Sequence, residues 1–191
     1  MAAPDDDTGL RRISHVELLH RPGERAQARR VLELLGCRVL DRGGHFFSAF
    51  VEPAVSDYRA NVLYASEVTP EQWAFEQQLG VASAEGPLAR AQASWMAHMR
   101  ANPQYSYHFG LRLPSEQVLD AALARVEAAG RPGGDLAGRI EVVSVFRPGD
   151  PDAATDTMVQ AFVRTDVVAC GLIALGQHIE LQWHLPGSTT T

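Results

Sequence analysis

Apolar and polar residues alternate from Ile13 to His20, with Ile13, His15, Glu17 and Leu19 on one side and Ser14, Val16 and Leu18 on the other. A period of two is the signature of a strand, and Arg21-Pro22-Gly23 closes it as a turn. From Glu24 the period lengthens. Ala28, Val31, Leu32 and Leu35 fall on one helical face, with Arg25, Arg29, Arg30 and Glu33 around the outside. Gly36 then stands where helices commonly stop in a left-handed turn. Strand-like pieces follow over 37–40, 45–52 and 61–68, separated by Gly43-Gly44 and by the segment 53–59.

The same order returns further on. Residues 105–113 read as a strand, and Pro114-Ser115 opens a helix whose buried face is Leu119, Ala122, Leu123 and Val126, with Gly130 at its end. Strands are predicted over 139–146, 158–168, 169–175 and 178–184, with Gly176-Gln177 as a tight turn between the last two. Nearly the same interval separates His15 from Gly36 and His108 from Gly130, and Ala49-Phe50-Val51 is echoed by Ala161-Phe162-Val163. Such repetition points to two copies of one supersecondary unit, each leaving a sheet face that the other must help to cover.

The expected fold class is therefore α+β: two βαβββ modules, 12–68 and 104–186, forming a curled mixed sheet around a shared cavity. A helical insert over 69–103 lies between them, and 1–11 and 187–191 read as flexible ends. In the insert, Thr69-Pro70-Glu71 is a helix start with Thr as N-cap. Trp73, Phe75, Leu79, Leu88, Trp95, Met96 and Met99 supply apolar anchors for a covering layer or a lid.

Composition narrows the function. The chain has 191 residues, a net charge of −6 and no lysine, so the clustered cations that nucleic acid requires are missing. No apolar run approaches membrane-spanning length. Residues 1–10 are acidic and lack the apolar core of a signal peptide, so a soluble cytoplasmic protein is expected. Cys37 and Cys170 are far apart, without CxxC spacing, and read as small packing residues.

Three strands place chemistry on one face. His15 shares its face with Glu17, His108 with Gly110 and Arg112, and Glu180 with Gln182 and His184. If those faces converge, two imidazoles and a carboxylate meet. That set suits one divalent metal ion (Fe, Mn, Ni, Co or Zn) and leaves coordination positions open for substrate. Glu180 carries the strongest case, because a carboxylate between Ile179 and Leu181 needs a partner, whether a cation or Arg112. Glu17 is placed as a general base or a solvated charge, and Arg112 as a clamp for an anionic substrate group or a partner of Glu17. His178, at a turn, is expected to be exposed.

Ile13-Ser14-His15-Val16-Glu17-Leu18, Tyr107-His108-Phe109-Gly110-Leu111 and His178-Ile179-Glu180-Leu181-Gln182 together resemble the strand signatures of the vicinal-oxygen-chelate superfamily, which includes glyoxalases, bleomycin-resistance proteins and extradiol dioxygenases. The resemblance spans roughly residues 12 to 185, apart from the insert. It implies His15, His108 and Glu180 as metal ligands and a small oxygen-rich substrate chelated to the metal, with isomerase, lyase or dioxygenase chemistry. It also implies an alternative, a non-catalytic bleomycin-resistance-like protein that sequesters a small molecule. Members with four protein ligands take one more from the last strand of the first half, where Asn61 or Glu67 is the candidate. The repeat is compatible with a cavity completed in one chain or across a homodimer.

Overall fold

The computed structural model describes residues 13–55, 58 and 61–186. The ends expected to be flexible, 1–11 and 187–191, lie outside the described residues. The fold is α+β, with two mixed sheets.

The alternating segment at the start forms β1 (His15–His20), and the helical period after it forms α1 (Arg25–Leu34). Ala28, Val31, Leu32 and Leu34 are the buried side of α1. Gly36 ends that helix with a φ of 95°, and the following amides of Gly36 and Cys37 bond back to Glu33 O and Leu32 O. β2 (Arg38–Leu40), β3 (Phe46–Phe50) and β4 (Val62–Glu67) complete the first half. β4 returns to pair in parallel with β1, so the strand order is β2-β3-β4-β1.

Two helices follow, α2 (Pro70–Ala82) and α3 (Gly86–Ala101). Thr69 caps α2 as expected, its side chain accepting from Gln72 N at 3.2 Å. These helices are a thin layer: Glu76 is the buried residue of α2 and Met99 that of α3, while Phe75, Val81, Leu88 and Trp95 stay exposed. Trp73 and Leu19 pack against the small cluster of Val68, Ala169 and Ile173. The Glu76 carboxylate accepts from Gln72 Nε2 and Ala174 N, both at 2.8 Å, which ties α2 to the far end of the second half.

That half runs β5 (His108–Arg112), α4 (Glu116–Gly130), β6 (Ile140–Phe146), β7 (Met158–Thr165), β8 (Val168–Ala169) and β9 (Gln177–His184). Ser115 caps α4 through Val118 N, and its buried face is Leu119, Ala122, Leu123, Val126 and Ala129. β9 pairs in parallel with β5, giving the order β5-β9-β7-β6 and repeating the parallel closure of the first sheet. β8 crosses over to pair with the end of β1, Leu19 opposite Ala169. One apolar cluster joins α1, α4 and the helix-facing sides of both sheets.

The strand expected over 169–175 is not formed. β8 ends at Ala169, and Ile173–Leu175 is a 3-10 turn. Gly171 and Gly176 have positive φ, and Gln177 braces the excursion by accepting from Cys170 N and donating to His178 O. The link from β7 to β9 is thus a bulged loop rather than a two-residue hairpin. At the other end, the strand expected from 105 begins at His108, because Pro103–Tyr105 makes a 3-10 turn.

Asp41 anchors α1 to the loop before β3. Arg25 donates to it with Nε at 3.0 Å and Nη2 at 2.8 Å, and Gly43 N donates at 2.9 Å. These donors hold the carboxyl well below its ordinary value of 3.8, the Arg25 hydrogen bonds contributing most. A depressed folded-state pKa stabilises the fold above the unfolded value, and the gain is lost as pH falls below about 4. Asp41→Asn should cost about 1–2 kcal/mol at pH 7, and much less near pH 2, in urea titrations at the two pH values.

Candidate active site

The second sheet has two unlike faces. Leu111, Ala161, Val163, Ile179 and Leu181 are buried on the α4 side. Alternation then puts His108, Gly110, Gln160, Phe162, His178 and Glu180 on the other side. Gly110 and Phe162 stand in register on either flank of Glu180. Gly110 leaves room for the carboxylate: a Cβ there would lie 3.4 Å from Glu180 Oε2.

Glu180 is only 4% exposed. Gln160 Nε2 donates to its Oε1 at 2.5 Å, and its Oε2 lies 3.4 Å from His108 Nε2. His108 Nδ1 faces Ser106 O at 2.8 Å. A carbonyl only accepts, so Nδ1 carries the proton and Nε2 is left to face the carboxylate. The Phe162 ring stands edge-on to the imidazole, with centroids 5.3 Å apart. A carbonyl, an amide and an aromatic ring therefore fix the His108–Glu180 pair. His108, Gln160 and Phe162, though not Glu180 itself, line a cavity of about 670 Å³. Asn102, Gln104, Tyr105, Phe146 and Asp152 line the rest of it.

His178 is buried at 2% exposure rather than exposed at a turn, because β9 begins one residue before it. Its Nδ1 lies 3.3 Å from Ser106 Oγ, and its Nε2 has no hydrogen-bond partner among the described residues. Burial, with Arg164 and His108 nearby, pushes its pKa down to about 4, so it is neutral at pH 7. Ser106 thus steadies two imidazoles, one through its carbonyl and one through its hydroxyl.

The first sheet presents its predicted residues differently. His15 is exposed, its Nδ1 3.0 Å from Ser14 Oγ and its ring 5.3 Å from that of Tyr64. Glu17 is exposed and accepts from Ser66 Oγ at 2.6 Å. The Arg112 side chain is exposed and has no partner among the described residues, so it pairs with neither Glu17 nor Glu180. His15, His108 and Arg112 line a second cavity, a cleft of about 820 Å³, and His108 is common to both cavities. Glu17 lines neither.

The structure therefore pairs His108 with Glu180, whereas His15 and Arg112 only line the same cleft as His108. Among the described residues no three His, Cys, Asp or Glu side chains are grouped as a metal-ligand set. The donor chemistry of His108 and Glu180 fits two positions of a divalent metal, with oriented second-sphere contacts on both. His15 stands outside that pair. No family model matches the chain, and no curated protein matches it.

Register gives Glu180 a counterpart in the first sheet once the two halves are set equivalent. With His15 set equivalent to His108, Glu17 matches Gly110, and their partners Tyr64 and Glu180 become equivalent. Tyr64 thus holds that place, not Asn61 or Glu67. Asn61 sits before β4 at a φ of 59°, and Glu67 accepts from Gly23 N at 3.0 Å. Gln160 and Ser106 escaped the sequence reading. Gln160 had a signal, being a polar residue in the alternating run of β7; Ser106, acting chiefly through its carbonyl, had none.

Proposed function

We propose that the chain is an enzyme of vicinal-oxygen-chelate type, acting on a small oxygen-rich molecule with the help of one divalent metal, and that it works in the cytoplasm. The observation that carries this reading is the pairing of His108 Nε2 with Glu180 Oε2 at 3.4 Å on adjacent parallel strands, with His108 lining a cavity. The parallel closure of β1 with β4 and of β5 with β9 supports reading the halves as two βαβββ units.

His108 and Glu180 would hold the metal, with His15 completing the set from the neighbouring cleft. A bound metal would act as a Lewis acid on a substrate carbonyl or enediol oxygen. The chain's own groups do the rest. Gln160 and Ser106 O keep carboxylate and imidazole aimed at each other, and Phe162 and Phe146 give the cavity an aromatic wall. Glu17, held by Ser66 on an exposed face, is left out of the chemistry.

Elemental analysis of protein purified without chelator tests this directly. About one divalent metal per chain is expected, falling below a tenth in His108→Ala and clearly reduced in His15→Ala. Metal-free wild type, or His108→Ala with unchanged content, removes the reading and leaves small-molecule sequestration in its place.

A further inference from the structure

The cleft of about 820 Å³ has a character of its own. It opens where β1 and β5 fail to pair: β1 bonds to β4 and, at its far end, to β8, and β5 bonds to β9 alone. Its walls come from the helix-facing sides of both sheets and from α4, chiefly Val16, Val51, Leu63, Phe109, Leu111 and Val118. Its volume is that of a small-molecule site. Unlike the cavity lined by Gln160 and Phe162, which has no arginine in its lining, the cleft carries Arg112.

Charge decides what would fit. The guanidinium of Arg112 has no hydrogen bond or ion pair among the described residues. The other arginines of this half that the structure ties down each have carboxylate or backbone partners, as Arg139 does with Glu24 and Asp166. Glu52 also lines the cleft, and its Oε1 is engaged by Ala54 N. An apolar slot with one uncommitted guanidinium suits a molecule with an apolar body and one carboxylate.

We propose that the cleft between β1 and β5 is a binding site for an apolar monocarboxylate, its carboxylate on Arg112 and its hydrocarbon body between the two strand edges. This site does not depend on a metal at His108. It shares the His108 imidazole as part of its wall, and Glu180 is not in its lining.

Calorimetric titration with decanoate, octanoate and decanol tests the site. Decanoate should bind with one site per chain, and each methylene removed should weaken it about fourfold. Decanol should bind at least tenfold more weakly, and Arg112→Gln should weaken decanoate at least tenfold while leaving decanol unchanged. Val118→Trp, which fills the slot from a partly exposed helix position, should abolish binding of both. Circular dichroism checks that each variant is folded. Equal affinity for decanol and decanoate, or full decanoate binding by folded Arg112→Gln or Val118→Trp, overturns the proposal. Absence of metal from the protein would leave these results unaffected, so the two readings fail separately.

Discussion

Gly130→Ala should destabilise the chain by at least about 3 kcal/mol, among the larger effects a single methyl can have. A Cβ at Gly130 would lie 2.0 Å from Ile140 O and 3.1 Å from Ile140 C, both backbone atoms. The last turn of α4 runs directly over the first residue of β6 at this point, and Leu136 N and Gly138 N bond back to Ala129 O and Gly130 O. Neither element can give way without breaking those bonds. The same substitution at Gly80, inside α2, meets nothing within 4 Å and should instead stabilise by about 0.5–1 kcal/mol through helix propensity. Paired urea denaturation of the two variants checks the contrast. A Gly130→Ala loss under 1 kcal/mol would mean that the α4–β6 approach is looser than described.

Gly130 also shows where sequence reasoning succeeds for an incomplete reason. Gly36 and Gly130 both look like helix stops, and the first is one, with φ at 95°. Gly130 is instead the last helical residue, and its missing side chain serves a close backbone approach. A local pattern carries the first requirement; only the packing of α4 on β6 reveals the second.

The same division runs through the rest of the molecule. Alternation and helical period located β1, α1, β4, β5, α4 and β9, because each element's buried face is written in its own residues. The α+β class followed from that. What failed was register and long-range company. The echo of Ala49-Phe50-Val51 in Ala161-Phe162-Val163 joins the corresponding strands but is two residues out of step, since Ser48 and Phe162 stand opposite the equivalent residues Tyr64 and Glu180. His178 looked exposed because it follows Gly176-Gln177; in the fold it stands opposite Arg164 on β7 and beside Ser106, which is far away in sequence. The need of Glu180 for a partner was legible from Ile179 and Leu181. That the partners are Gln160 and His108, not Arg112, depends on the β5-β9-β7 order.

Glu180→Gln separates a carboxylate that holds the core from one that holds a metal. Glutamine keeps the side chain's volume, its carbonyl can still accept from Gln160 Nε2, and its amide can donate to His108 Nε2. Nothing buried is left unpaired, so stability should stay within about 1 kcal/mol of wild type. A metal would lose an anionic ligand, and binding should weaken by at least about a hundredfold, more than the 10–100-fold typical of losing an outer contact. Glu180→Leu removes the acceptor as well and strands Gln160 in a buried site, so it should cost about 1–3 kcal/mol besides abolishing metal retention. Thermal melts with metal titration of both variants read the two effects apart. If Glu180→Gln instead loses stability as heavily as Glu180→Leu while retaining metal, the carboxylate is a structural partner of His108 and the metal lies elsewhere.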